Sequence, residues 1–206
     1  MIRESITSGE FAPEQRLVEA DLSARFDTSR SAVRSALLQL TEEGLVEREH
    51  NRGARVRAVS LEEAVEISEV RMRLEGLCAA KAAERIDDGQ AAELQELGTR
   101  MERLVGQGDV LGYSEANQLL HRRIRELSGQ QTAGAVLERL RAQSVRHQFR
   151  LSLQPGRPGT SLPEHLAIIE AICDHDPEAA ERAMRAHLSS VIDALEEVTP
   201  IGNLRG

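Results

Sequence analysis

The chain has 206 residues, 40% of them hydrophobic, with one tyrosine, three phenylalanines, no tryptophan and a formal net charge of -8. That length allows two small domains or one moderate core, and the acidity excludes a uniform basic field for holding nucleic acid. There is no signal peptide, and no apolar run approaches the roughly 18 residues of a membrane span, so a cytoplasmic protein with no membrane partner is expected.

The charge is uneven. Residues 1–58 carry 9 Lys+Arg against 10 Asp+Glu, and residues 30–57 alone hold six arginines against four glutamates. Lys81 is the only lysine among 26 basic residues. Arginine suits phosphate and guanine through its planar fork, but it dominates the acidic half as well, which points to a coding bias. Cys78 and Cys173 sit in apolar runs and read as buried thiols.

In chain order, Ile2 to Ser8 reads as the end of a helix closed by Gly9. Two turns are short for a helix standing alone, so its start is expected upstream of residue 1. Phe11-Ala12-Pro13 turns the chain into an amphipathic segment, Val18 to Phe26. The polar turn Asp27-Thr28-Ser29 follows. A second helical pattern then places Arg30 and Arg34 on one face, with Ala32, Val33, Ala36, Leu37 and Leu40 on others. It stops at Gly44, before a basic hairpin tipped by Asn51-Arg52-Gly53. Two helices, a tight turn and a glycine-tipped basic wing describe a winged helix-turn-helix, whose second helix suits the DNA major groove.

Ser60-Leu61-Glu62-Glu63 has capping-box form, which places a junction at residues 57–60 and two domains at 1–58 and 59–206. The second domain reads as six helices with no strand pattern. They cover Leu61 to about Ile86, Gln90 to Val105, Asp109 to Leu127, Thr132 to Leu153, Leu162 to Cys173 and Pro177 to about Val198. Asp176-Pro177 supplies an N-cap followed by proline in the first turn, and PGRPG at 155–159 reads as a break. The fold class is therefore mainly α: an N-terminal winged helix-turn-helix with a small β-wing, then an all-α antiparallel bundle.

Asn117 and His121 lie four apart, on one face of the third bundle helix. His165 falls near the start of the fifth and His187 midway along the sixth. Three imidazoles and an amide oxygen can converge on a divalent ion inside a bundle, though scattered histidines in helical proteins are more often plain core or surface residues. Arg71 either clamps a carboxylate ligand or pairs with Glu75 at i+4. No general base is evident beside the histidines, and no phosphate loop, nucleophile elbow or Cys/His zinc signature is present.

The segment ITSGEFAPEQRLVEADLSARFDTSRSAVRSALLQLTEEGLVEREHNRGARV resembles the DNA-binding half of GntR-family repressors. EVRMRLEGLCAAKAA, NQLLHRRIRELSG, EHLAIIEAI and DPEAAERAMRAHL are similar to the all-helical ligand domain of the FadR-like branch, the FCD type. The resemblance covers nearly the whole chain. It implies DNA contacts at Ser29, Arg30, Arg34, Arg52 and Gly53. It also implies a divalent metal of the zinc, nickel or manganese class on Asn117, His121, His165 and His187, with Arg71 facing the effector cavity. The chain departs from the pattern at Ala20, where relatives carry a DNA-contacting arginine, and at Glu14, where they carry glycine. A homodimeric, ligand-responsive regulator, by expectation a repressor and not an enzyme, follows. Its partners would be a double-stranded operator and a small carboxylate effector. The rival readings are a metal-dependent enzyme and a regulator sensing metal alone.

Overall fold

The computed structural model describes residues 1–49 and 53–197, and the chain divides into two compact units. The first comprises residues 1–60 and also takes in 139–146. It begins with α1 (Ile2–Thr7), β1 (Arg16–Leu17), α2 (Glu19–Arg25) and α3 (Arg30–Glu42). β2 (Val46–Glu49) and β3 (Gly53–Val56) follow.

Local chemistry accounts for these boundaries. Ser29 takes an extended conformation and its side chain accepts a hydrogen bond from the Ala32 amide at 3.2 Å, which supplies one of the donors left over at the start of α3. Val33, Leu37 and Leu40 recur at helical spacing and are buried, so Arg30 and Arg34 face solvent. Gly44 ends the helix with φ +74, a conformation costly to other residues.

The sheet is antiparallel, in the order β1-β3-β2. β1 was not foreseen: two residues carry no alternation to read. It forms because Leu17, opposite Ala54, joins the buried set of Val46, Ala54 and Val56.

Among the described residues, the chain beyond residue 60 forms six helices, as read from the sequence. They are α4 (Leu61–Arg85), α5 (Asp88–Gly106), α6 (Val110–Ser128), α7 (Gln131–Ser152), α8 (Arg157–Cys173) and α9 (Pro177–Glu197). α4 packs on α6 and α9, and α8 lies against α9 and α5. Gly76 allows the close approach of α4 to α9, since a Cβ there would meet the Arg185 side chain at 3.0 Å. The core is aliphatic, built on Leu94, Met101, Leu120, Ile124, Leu137, Ile168, Ile172, Met184 and Leu188. Cys78 is buried, Cys173 half-buried, and both are free thiols.

Caps set the helix starts. The Asp87 side chain accepts from the Gln90 amide at 2.8 Å, and Gln90 Oε1 accepts from the Asp87 amide at 3.2 Å, a capping box. Asp109 and Asp176 each accept from an amide three residues on, both at 2.9 Å.

One boundary differs from expectation. α8 begins at Arg157, five residues before Leu162, and runs through Pro163. Gly156 enters it with φ +84, and Pro158 lies in the first turn, where no amide donor is needed. Pro163 forgoes a single backbone bond. The pattern PGRPG thus starts a helix instead of separating two.

Candidate functional site

The earlier start of α8 brings Arg157, Ser161, Glu164 and His165 onto adjacent turns of one helix. Tyr113, Asn117 and His121 share one face of α6 through i, i+4, i+8 spacing, and Arg71 and Glu75 share a face of α4. His187 is on α9. Burial of these faces brings His121, His165 and His187 together. One ligand atom from each lies within 4.8 Å of the others, and all three residues are buried. The ring centroids are 5.6 Å (His121–His165), 5.3 Å (His121–His187) and 4.3 Å (His165–His187) apart.

Each Nδ1 is engaged away from the other rings. His121 Nδ1 lies 2.5 Å from Glu75 Oε2, His187 Nδ1 2.8 Å from Glu164 Oε2, and His165 Nδ1 2.9 Å from the Tyr113 hydroxyl. A carboxylate can only accept, so Nδ1 of His121 and His187 carries the proton, and in the neutral ring the lone pair is on Nε2. That is the tautomer a metal ligand needs, held by the outer partners such ligands usually have.

Both carboxylates also meet a guanidinium. Arg71 Nε and Nη2 lie 2.8 and 2.7 Å from Glu75 Oε1. Arg157 Nη2 lies 3.7 Å from Glu164 Oε2, and its Nη1 donates to Ser190 Oγ at 2.9 Å. Two His–Glu–Arg chains therefore flank the cluster, and each glutamate balances its arginine. The sequence had left Arg71 open between clamp and ion pair. The pair with Glu75 forms, yet Arg71 Nη1 stays buried without a hydrogen-bond partner.

Further unpartnered atoms share the same helix faces. Among the described residues, six buried side-chain atoms lack a hydrogen-bond partner, and four belong to Arg71, Asn117, Arg157 and His165. Leaving such an atom unpaired costs about 1–3 kcal/mol, so their concentration in residues of this one region calls for an explanation. The atoms include His165 Nε2 and Asn117 Oδ1. Nitrogen and oxygen donors of this kind fit a divalent ion of the zinc or nickel class.

Protonation agrees with that donor set. Burial, reinforced by the neighbouring His187 and His121, holds the His165 imidazole well below the usual histidine range, hence neutral. Burial pushes the Tyr113 hydroxyl up to about 12. For Glu164, burial acts upward, but hydrogen bonds from His187 and Ser190 and the charges of His187 and Arg157 together hold its carboxyl below the ordinary value.

Sequence reasoning missed Tyr113, Ser161, Arg157 and Glu164, and counted Glu75 only as a partner of Arg71. Its statement that no general base stands beside the histidines is corrected: Glu75 and Glu164 touch two of them. Both are occupied in orienting Nδ1. The one available signal was spacing, with Tyr113 one turn before Asn117. Of the other histidines, His175 contacts the Ala83 carbonyl oxygen at 3.2 Å, and His50 lies outside the described residues.

In the first unit, Ser29, Arg30 and Arg34 occupy the start of α3 and are exposed. Ser29 is committed to capping, and its Oγ is also 3.0 Å from Ser31 Oγ. Arg34 forks onto Glu19, Nε to Oε1 at 3.1 Å and Nη2 to Oε2 at 2.8 Å. A groove beside α3 is lined by Arg16, Glu19, Arg34, Arg48 and Gly53, so Arg16 and Arg48 join the expected basic face. Gly53 opens β3 with φ +92. Arg52 lies outside the described residues. Ala20 is exposed in the first turn of α2. Glu14 adopts φ 63, a left-handed conformation that explains why a glycine suits that position.

Comparison with known proteins agrees with this anatomy. Residues 1–56 match the family model described as bacterial regulatory proteins, gntR family, and residues 66–190 match the FCD domain. The chain belongs to the GntR family of bacterial regulatory proteins, with an FCD domain as its second part. It is 27% identical over 198 residues to the HTH-type transcriptional repressor RspR of Escherichia coli (strain K12), covering 96% of this chain and 87% of that protein. It is 29% identical over 222 residues to the HTH-type transcriptional repressor NanR of Klebsiella aerogenes, covering 92% and 80%. The solved structure titled E. coli McbR/YncC shares the fold, with a TM-score of 0.79 at 22% identity and coverage of 95% and 93%. The protein is accordingly a DNA-binding transcriptional regulator of the GntR/FCD type. No described helix is long and apolar enough to cross a membrane.

Proposed function

We propose that this regulator is a homodimeric repressor whose FCD domain binds a divalent metal and a small organic acid. The metal would be held by His121, His165 and His187 through Nε2, with Asn117 as the oxygen donor. The observation that carries the reading is the buried three-histidine cluster with every Nδ1 already engaged, which leaves the inner nitrogens as ligands. None of these donors, three imidazoles and an amide oxygen, carries a negative charge, so a bound dication would bring positive charge that favours an anionic ligand. Arg71, with Nη1 buried and unpartnered, supports a role in orienting that carboxylate. Ligand binding is favoured over turnover because both glutamates beside the histidines are tied to Nδ1 atoms and guanidinium groups.

On DNA, Arg30 and Arg34 would make base or phosphate contacts in the major groove, with Gly53 and Arg52 at the wing and Ser29 at the helix start. A two-fold dimer would match a palindromic operator in the cytoplasm. The effector would act by binding one arrangement of the DNA-binding domains better than another. Repression is supported by the names of the RspR and NanR relatives.

The test is elemental analysis of purified protein, followed by calorimetric titration of organic acids into metal-loaded and metal-stripped samples. Stoichiometric metal and acid heats only with metal are expected. Absence of metal at every loading condition refutes the reading, and metal without any acid response reduces it to a metal sensor.

A further inference from the structure

Two of the three histidines are oriented by carboxylates, and the third is not. His165 Nδ1 faces the Tyr113 hydroxyl at 2.9 Å, and that hydroxyl lies 2.8 Å from Ser161 Oγ. Ser161 Oγ donates to the Arg157 carbonyl oxygen at 3.0 Å, one turn back along α8. With the Ser161 proton on that carbonyl, proton counting along this chain has one solution. A carbonyl oxygen only accepts, so the single hydroxyl proton of Ser161 is used there. Ser161 Oγ must then accept from Tyr113, whose own proton is thereby used. The Tyr113 oxygen is left to accept, and His165 must carry its proton on Nδ1. His165 Nε2 is the lone pair, buried and without a partner.

We propose that Tyr113 and Ser161 are positioning residues that set the tautomer of His165 through this hydroxyl relay, anchored on the Arg157 carbonyl. The relay makes His165 a ligand without adding a third negative charge beside Glu75 and Glu164. It also ties ligand competence to the helical start of α8, because the anchoring carbonyl belongs to that first turn. This inference rests on the metal reading only for its consequence; the tautomer itself does not.

Long-range 15N–1H correlation spectra of histidine-labelled, metal-free, full-length protein read the tautomer directly. The native protein should show the Nδ1–H form at His165. Tyr113→Phe removes the hydroxyl that faces Nδ1 and should shift His165 toward Nε2–H. Ser161→Ala frees the Tyr113 proton to point at Nδ1 and should shift it the same way, with less change in packed volume. Ser161→Thr keeps a hydroxyl and should restore the native form. In competition with a chelator, the first two variants should bind Zn²⁺ about 10–100-fold more weakly, the usual effect of losing an outer partner, while Ser161→Thr should match the native protein. Persistence of the Nδ1–H form in both Tyr113→Phe and Ser161→Ala overturns the relay. A native protein with the expected tautomer that binds no Zn²⁺ overturns the metal reading and leaves the relay standing.

Discussion

The Arg34 guanidinium is held in a two-pronged ion pair by the Glu19 carboxylate, with contacts of 3.1 and 2.8 Å. A side chain expected, with Arg30, to contact DNA is thus pre-oriented by an acid on the neighbouring helix. Glu19 also raises the proton affinity of Arg34, first by its hydrogen bond and then by its charge. At an exposed site the pair adds little stability, so its consequences belong to recognition. Arg34→Ala should weaken operator binding by at least about fivefold, the low end of a specific base contact, while gel filtration shows the same oligomer. Unchanged mobility shifts would remove Arg34 from the interface.

Glu19→Gln separates orientation from charge. It removes a negative charge beside Arg34, on the face proposed to meet DNA, and loosens the fork. Binding to random-sequence DNA should tighten severalfold at low salt, and the ratio of operator to random binding should fall. A preserved ratio would show that Glu19 does not position Arg34.

Glu14 offers a stability test in the first unit. Its φ of 63 costs a side-chain-bearing residue about 1–2 kcal/mol relative to glycine. Its ion pair with Arg55, Nη1 to Oε2 at 2.7 Å, is at the surface and returns about 0–1 kcal/mol. Glu14→Gly should therefore add up to about 2 kcal/mol of stability, seen as a rise in the thermal midpoint. A clear fall in the midpoint would show that the ion pair outweighs the backbone strain.

His187→Ala should lower bound metal measured by elemental analysis, since it takes one of three nitrogen donors from the cluster and leaves Glu164 without its imidazole. Full occupancy in the variant would exclude His187 from the site.

Arg71→Lys keeps the positive charge next to Glu75 but loses the planar fork. The variant should fold and retain metal, while the calorimetric response to organic acids should weaken by about tenfold or more. Acid binding at native strength would return Arg71 to a purely structural role with Glu75.

Much of the architecture was legible because it is written in local rules. The polar turn Asp27-Thr28-Ser29 before α3, the Asp176-Pro177 start of α9 and the Val33, Leu37, Leu40 stripe each follow from backbone geometry within a few residues. The same rules placed Asn117 and His121 on one face of α6. They failed at PGRPG, where Gly156 and Pro158 permit a helix start that composition alone reads as a break, and at β1, which is too short to show a period.

By itself, then, the sequence determined a winged reader, a six-helix bundle, three histidines on three helices and the family that combines them. Only the tertiary structure decided what those histidines face. The partners of His121, His165 and His187 stand 46, 52 and 23 residues away along the chain. No periodicity reaches that far, because helical spacing fixes only which face a side chain occupies. Which faces meet is decided by packing of the aliphatic core, and that packing turns Glu75, Tyr113 and Glu164 toward Nδ1 and leaves His165 Nε2 buried and unpartnered.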